Sequence, residues 1–376
     1  MKKPSLLLLC MIACTVMLLG CSSEKESEIE KKHLAEETKT ISLVDIEGRK
    51  ITLTKKVERI VDLTGLSGTR ILIQLGSPQY VFGMTSHGLN VFNPQSKTYH
   101  PVQRAIPSMI EKKIVNIGDW IEPNAEKIIA LHPDVILVGW GGKESAEKIE
   151  QQTGIPAVCI GRMDGHFDYD RYRIVGKIIG KEHKAEEVIA YLKNKIGMVS
   201  DVTNTIPENE KKRVFFWIVP RADADLRSNG IYDAIDYAGG INVASTEKGI
   251  GLYETSKEQV VAWNPDVILV QSSHKENMQE SYADYLTIEQ ICNDPVLGAT
   301  NAVKNKQVYC LRGPRSDWDT AVEASEVFYI AKLLYPERFK KVDVEREGNE
   351  IFKELYGVEN LYSDMSKNVG LHIWNP

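Results

Sequence analysis

Residues 122–138 read EPNAEKIIALHPDVILV, and residues 254–270, beginning 132 positions later, read ETSKEQVVAWNPDVILV. The hexamer PDVILV is identical in both, and the positions before it agree in type: Glu126 with Glu258, Ile129 with Val261, Ala130 with Ala262. Each stretch describes a polar helix start, an apolar helix, a short break and a wholly apolar strand. The separation is far longer than the roughly 20–50 residues of a solenoid unit, so it marks two copies of one α/β lobe. Two similar lobes leave a cleft between them, a natural place for a ligand.

Outward from the first copy, residues 43–53 (LVDIEGRKITL) predict a hairpin turning near Glu47 and Gly48, and residues 60–63 a short strand. Residues 65–75 have helical spacing closed by Gly76. Further strands are predicted at 80–84, 115–117 and 157–160, and a helix at 145–152. A long surface loop is expected over 87–107, which holds three prolines and two histidines. Strands alternating with helices argue for a mostly parallel sheet. Over 168–203 there is no strand signal, and Val188, Ile189, Leu192, Ile196 and Val199 fall at amphipathic helical spacing, where one lobe must hand over to the other. Lobe two repeats the plan from VFFWIV at 214–219: helix 231–238, the second repeat copy, helix 286–292, strand 307–311, then closing helices 321–334 and 344–356. The segment after Tyr356 receives no role.

At the start, a basic Met1-Lys2-Lys3 precedes an apolar run over 5–19, and Leu18-Leu19-Gly20-Cys21 follows. This is the pattern of a secretory signal with a bacterial lipobox, in which Cys21 becomes the lipidated first residue. An apolar run of 15 residues is short of the ~20 that a bilayer span needs. Residues 22–40 (SSEKESEIEKKHLAEETKT) are charged and lack aromatics, as a flexible tether would. Localisation is therefore expected to be extracytoplasmic, lipid-anchored to the bacterial cell membrane. The expected division is signal 1–21, tether 22–40, N-terminal lobe 41–166, linking helical segment 167–206, and C-terminal lobe with closing helices 207–376.

With Cys10 and Cys14 lost with the signal and Cys21 lipidated, Cys159, Cys292 and Cys310 remain, too few and too dispersed for a zinc site or a disulfide framework. A Cys292–Cys310 bridge stays open, since export permits one. The chain carries 46 Lys and Arg against 52 Asp and Glu, a net charge of −6, which argues against a nucleic-acid partner.

The lipobox, the two copies of E-x-x-x-A-x-x-P-D-V-I and one long helix between them resemble the helical-backbone class (class III) of ABC-transporter solute-binding proteins, which take up ferric siderophores, haem and cobalamin. IYDAIDYAGGINV at 231–243 and NAVKNKQVY at 301–309 fit that family too. The fold class so implied is α/β, with two Rossmann-like lobes of mostly parallel sheets joined by a single long rigid α-helix. The resemblance also implies small closure on ligand, a monomer, and as partners the transmembrane permease subunits with their cytoplasmic ATPase.

Asn124 and Ser256 read as helix N-caps, the latter with Gln259 completing a capping-box pattern, so Glu126 and Glu258 both fall at the second helical position. A first-turn glutamate also complements the positive helix end, for about 0.3–1 kcal/mol, and that is the bland reading. The resemblance implies more: family members present one such glutamate on each lobe to arginines of the permease. Glu122 and Glu254 form a fallback pair.

Ligands in open α/β sheets sit outside the carboxyl ends of the strands. Trp120, Trp140, Arg221, Arg227, Tyr253, Arg312, Arg315 and Trp318 fall at those ends, whereas Trp217 and Trp263 read as core. Aromatics give large contact area at low entropic cost. Fixed guanidinium groups suit carboxylates, phosphates and the oxygens of a chelated metal. A ferric siderophore is the ligand this bias favours. Cobalamin is the rival, on Trp120 six residues before Glu126 and the run Ser316-Asp317-Trp318, and haem is a further alternative. Haem would want an axial ligand, for which Met84, His87, Met163, His166 and His274 are candidates. No resident cofactor and no bare-metal site is expected.

Gly139–Ser145 (GWGGKES) is not a phosphate loop, because its glycine spacing is too short and Glu144 follows the lysine. No H-E-x-x-H, G-x-S-x-G or C-x-x-C is present, so an enzyme is not expected. A surface sensor or adhesin built on the same lobes is the alternative of another class.

Overall fold

The computed structural model describes residues 40–91, 113–119, 121–139, 141–161, 167–218, 226–245, 252–271, 286–311 and 319–372. The expected signal and Cys21 lie outside them. Lobe one opens with the antiparallel hairpin β1 (Ile41–Val44) and β2 (Lys50–Leu53), Ile41 opposite Leu53. There follow β3 (Ile60–Asp62), α1 (Ser67–Gln74), β4 (Val81–Met84), α2 (Ser86–Val91), β5 (Val115–Asn116), α3 (Ala125–Ala130), β6 (Val135–Val138), α4 (Gly142–Thr153) and β7 (Ala157–Cys159). The five strands β3 to β7 form one parallel sheet in the order β5-β4-β3-β6-β7. The loop expected over 87–107 begins instead as α2, and residues 92–112 lie outside the described residues.

The linking segment is two helices rather than one, α5 (Asp170–Ile178) and α6 (Glu182–Thr203), broken where Gly180 takes φ +67°. At about 1.5 Å per residue, the 22 residues of α6 span about 33 Å. The apolar positions read from the sequence, Val188, Ile189, Leu192, Ile196 and Val199, are all buried.

Lobe two contains β8 (Arg213–Ile218), β9 (Leu226–Asn229), α7 (Asp233–Tyr237), β10 (Ile241–Asn242), β11 (Leu252–Thr255), α8 (Lys257–Trp263), β12 (Val267–Val270), α9 (Ile288–Cys292), α10 (Asn301–Lys304) and β13 (Val308–Cys310). Its sheet runs β11-β9-β8-β12-β13, with β10 beside the start of β8. Here the repeat is imperfect. Where lobe one sets a single parallel strand beside β3, lobe two sets parallel β10 beside the start of β8 and antiparallel β9 beside its end, and β11 adds antiparallel to β9. The sequence LRSN of β9 gives no apolar alternation. It is buried all the same because Ser228 Oγ donates to Phe216 O at 2.7 Å and Asn242 Nδ2 to Asn229 O at 2.9 Å.

The repeated hexamer has a physical reason. Asp134 Oδ2 accepts from the backbone N of Glu58 (2.8 Å) and Arg59 (2.9 Å), pinning β6 to the start of β3. Asp266 Oδ2 accepts likewise from Arg213 N at 3.0 Å, at the start of β8. Each arginine then reaches back to the end of the repeat helix, Arg59 to Leu131 O (2.9 and 2.6 Å) and Arg213 to Trp263 O (3.2 and 3.0 Å). The helix-to-strand turn passes through the left-handed region at matching residues, His132 (φ +47°) and Asn264 (φ +46°), both types that tolerate it. Arg59 and Arg213 belong to the repeat although they precede it by many residues.

Alternate residues of each strand face opposite sides. Val61, Ile136 and Val138 pack with α3 and α4, and Phe215, Trp217, Ile268 and Val270 form the matching cluster in lobe two. Ile60, Val135, Leu137, Val214, Phe216, Val267 and Leu269 join one continuous cluster with the linking helices and with α11 (Thr320–Leu334), α12 (Val344–Tyr356) and α13 (Leu361–Val369). That cluster spans both lobes. Helix α13 gives the segment after Tyr356 its role: Leu361, Tyr362, Met365 and Leu371 are buried against α12. The approach needs Gly348, where a Cβ would stand 2.4 Å from ring atoms of Tyr362.

Candidate functional site

The strand order of lobe one reverses between β3 and β6, and in open α/β sheets such a switch point opens a crevice at the carboxyl ends. The chain leaving β3 is organised there by Asp62, which is fully buried. Its Oδ1 accepts from Thr64 N (2.8 Å) and Thr64 Oγ1 (2.5 Å), and its Oδ2 from Thr69 N (2.7 Å) and Thr69 Oγ1 (2.6 Å). Thr64 Oγ1 in turn accepts from Gly68 N at 2.7 Å. Four donors on one buried carboxylate make this turn rigid and leave Thr64 and Ser67 half-exposed at its surface. Past β6, a Cβ on Gly139 would lie 3.1 Å from Thr64 Cα, and one on Gly161 would lie 3.0 Å from Gly139 Cα. Three strand ends therefore meet backbone to backbone. A cavity of about 270 Å³ opens beside them between Leu63, Val138, the turn at 121–123 and α4.

A charged contact joins the two lobes near this point. Arg70, just past β3 on α1, stands 3.5 Å from Asp319, the residue that opens α11 after β13. Of the predicted ligand residues, Trp120, Trp140, Arg221, Arg312, Arg315 and Trp318 lie outside the described residues, as do Met163, His166 and His274. Arg227 was expected on a cleft loop but lies on β9 beside the end of β8, opposite Ile218. Its guanidinium pairs with Glu254 Oε1 at 3.2 Å, both side chains about half exposed. Tyr253 stands on β11, a strand rather than a loop. Met84 was a candidate haem ligand. It ends β4 fully buried in the large core cluster, which leaves its sulfur out of any cleft. His87 stands exposed on α2. Trp217 is buried at 1% exposure, and Trp263 is half-buried with its ring centroid 6.0 Å from that of Phe215, as expected of core residues.

The paired glutamates occupy equivalent places. Asn124 Oδ1 accepts from Lys127 N at 2.9 Å and Ser256 Oγ from Gln259 N at 3.1 Å, so Glu126 and Glu258 are each the second residue of a capped helix, and both are exposed. The complete reciprocal capping box occurs instead at Thr287 and Gln290. The neighbouring lysines turn elsewhere, Lys127 Nζ to Asn116 O (3.3 Å) and Lys257 Nζ to Asp294 (2.6 Å). Glu122 and Glu254 are not equivalent in space: Glu122 lies in the turn closed by the Gly118–Pro123 bridge, Glu254 on β11.

Cys159, Cys292 and Cys310 are free thiols. Burial, reinforced by the nearby Asp45 carboxylate, pushes the Cys159 thiol up to about 12, so it stays protonated and inert. Among the described residues, no group of three or more His, Cys, Asp or Glu could hold a metal ion, and no helix is long and apolar enough to cross a membrane.

Comparison with known proteins decides the family. A model of the periplasmic binding protein family matches residues 65–314. The chain belongs to that family. A substrate-binding lipoprotein of an ABC transporter from Bacillus subtilis strain 168, YvrC, is 25% identical over 356 residues, covering 91% of this chain and all of the relative. The molybdate-binding protein MolA of Haemophilus influenzae is 26% identical over 336 residues, covering 82% of this chain and 88% of MolA. The solved structure of MolA bound to molybdate superposes with a TM-score of 0.64 at 23% identity, covering 85% of this chain and 98% of that one. A nickel-bound CeuE from Helicobacter pylori superposes at 0.66 with 18% identity, covering 86% of this chain and 99% of that one, which speaks to fold alone. This chain is thus a substrate-binding protein of the ABC-importer type, with two lobes of mostly parallel sheet joined by a long helix. Its relatives are binding proteins of transporters rather than enzymes.

Proposed function

We propose that this protein is a lipid-anchored receptor that captures a metal chelate, a ferric siderophore foremost, in the interlobe cleft and delivers it to an ABC permease through Glu126 and Glu258. The observation that carries delivery is the pair of capped, exposed glutamates at matching positions of the two lobes. Like carboxylates on two like lobes suit a permease surface with two-fold symmetry, where arginines can meet them in a charge-assisted geometry. The ligand class rests on the arginines and aromatics that the sequence leads one to expect near the strand ends, Trp120, Trp140, Arg221, Arg227, Tyr253, Arg312, Arg315 and Trp318, and on relatives named for Fe(3+)-citrate, enterobactin and cobalamin. Anchoring rests on Cys21 and on the lipoprotein named among the relatives. A second reading is favoured by MolA, alike in both sequence and fold: a compact oxyanion such as molybdate, which the same arginines would hold.

The test is tryptophan fluorescence on protein lacking residues 1–21, titrated with ferric enterobactin, ferric citrate, cobalamin, haem and molybdate. Sub-micromolar quenching by a ferric chelate, weakened about tenfold or more by Arg312→Ala or Arg315→Ala, is expected, a loss of about 1.4 kcal/mol or more. Quenching by molybdate alone would replace the chelate reading with the oxyanion one. In cells, Glu126→Lys with Glu258→Lys should abolish uptake while affinity in solution is unchanged. Surviving uptake would refute docking through this pair, and uptake that persists when the whole protein is deleted would leave the sensor or adhesin reading.

A further inference from the structure

Ile121 is 64% exposed and Ile129 43%, two of the four large apolar side chains that stand exposed among the described residues. They bracket Glu126. Ile129 follows it by three positions on α3, so the two share a helix face, and Ile121 precedes it on the turn that leads into the helix. Single exposed apolar residues are ordinary on a surface, but these two gather around one exposed carboxylate. The turn holds Ile121 firmly. Gly118 and Pro123 bridge antiparallel, Asn124 N donates to Ile117 O at 2.7 Å, and Asp119 Oδ1 accepts from Ile121 N at 3.0 Å. Gly118 takes φ +93°, and a Cβ there would lie 3.3 Å from Asn124 N, so the turn needs glycine at that place.

Ile121 also borders the cavity of about 270 Å³ beside the ends of β3 and β6. Its floor is apolar, with Leu63, Val138 and Ile149 all buried, and its rim carries Glu122, Lys148 and Ser145. An apolar floor under a rim with a carboxylate, an ammonium and a hydroxyl suits an aromatic side chain with a polar tip, a tyrosine foremost. The ring packs on the floor, the phenol O–H donates to Glu122, and its oxygen accepts from Lys148. The matching stretch of lobe two is built differently, because Tyr253 and Glu254 stand on strand β11. We propose that this cavity is a further contact with the permease, a seat in lobe one for a tyrosine-like side chain carried beside the arginine that meets Glu126. Ile121 and Ile129 exclude water around that contact, which strengthens the charge pair next to it. This rests on the reading of Glu126 as a permease contact, and it adds the shape that a single charge lacks.

Docking to the permease, reconstituted with its ATPase in nanodiscs, tests the seat without any ligand when read by biolayer interferometry on protein lacking residues 1–21. Ile121→Ser, which truncates the rim, and Ser145→Phe, which fills the cavity from α4 without touching a charge, should each weaken docking about tenfold or more. Ile121→Leu should dock like wild type. So should Met198→Ser, which removes an exposed apolar side chain from α6 instead. Circular dichroism melts establish that each variant is folded. Unchanged docking in Ser145→Phe would overturn the seat. If Glu126→Lys with Glu258→Lys then abolishes docking, the glutamate contact stands without it. The converse, docking lost in the seat variants and kept on charge reversal, would keep the seat and refute the glutamates. A wild type that does not dock overturns both. A benzophenone photo-crosslinker carried at position 121 should mark a permease loop that bears tyrosine or tryptophan, and marking of a second copy of this chain would overturn the assignment.

Discussion

Replacing Asp134 by Ala removes the group that makes the repeated hexamer a structural unit. The carboxylate accepts from two backbone N–H groups at 2.8 and 2.9 Å and pairs with Lys55 at 2.7 Å, its own side chain only 9% exposed. Hydrogen bonds to a charged group contribute about 1.5–3 kcal/mol each. One of the two reaches the exposed amide of Glu58, which water can satisfy instead, and Lys55 is 61% exposed, so its pair contributes about 0–1 kcal/mol. The expected loss is therefore about 2–3 kcal/mol. Asp266→Ala is the internal control. Asp266 accepts one backbone bond, from Arg213 at 3.0 Å, and a longer one from Asn301 Nδ2 at 3.3 Å, so its loss should be about 1–2 kcal/mol. Urea unfolding followed by circular dichroism measures both, and an unchanged m-value would show that stability alone moved. An Asp134→Ala loss below about 0.5 kcal/mol, or one smaller than that of Asp266→Ala, would refute the pinning argument.

The acid limb of stability should carry the same signature. Burial works against the Asp134 and Asp294 carboxylates, but Lys55 and Lys257 respectively, with backbone N–H groups, hold both below the usual range; Glu347 is held down by Lys195 and Arg346 against its burial. Depressed folded values mean stability that is whole above the unfolded values, about 3.9 for Asp and about 4.3 for Glu, and is lost as pH falls through the folded ones. The thermal midpoint should fall below about pH 4, and less steeply in Asp134→Asn with Asp294→Asn; equal slopes would count against it. Gly348→Ala should cost about 1–3 kcal/mol through overpacking on the Tyr362 ring, exceeding the ~1 kcal/mol that alanine gains in a helix. A stabilised variant, read by thermal melting, would show that α13 is held loosely.

Most of the architecture is legible from local signals. The repeat helices, their caps and the strands at 135–138 and 267–270 follow from an amphipathic run, a capping side chain and an unbroken apolar tetrad. The linking helix follows from its apolar spacing, although the break at Gly180 does not, since a glycine inside a helical pattern is often tolerated. Strand β9 escapes because its burial is satisfied by partners elsewhere in the chain, not by its own residues. The placing of Arg227 fails for the same reason: the salt bridge with Glu254 depends on β9 and β11 being neighbours.

The amino-acid sequence by itself determines that there are two α/β lobes, that a long helix joins them, and that Glu126 and Glu258 stand alike at capped helix starts. Those features depend on periodicity and on bonds within a few residues. Only the tertiary structure decided that Arg59 and Arg213 complete the repeat, that Asp62 builds the turn after β3, and that Arg70 meets Asp319 across the lobes. In the last case two charged residues about 250 positions apart are buried together. A buried carboxylate or guanidinium reads in sequence like any solvated surface charge, because burial becomes affordable only once folding has brought its partner within reach.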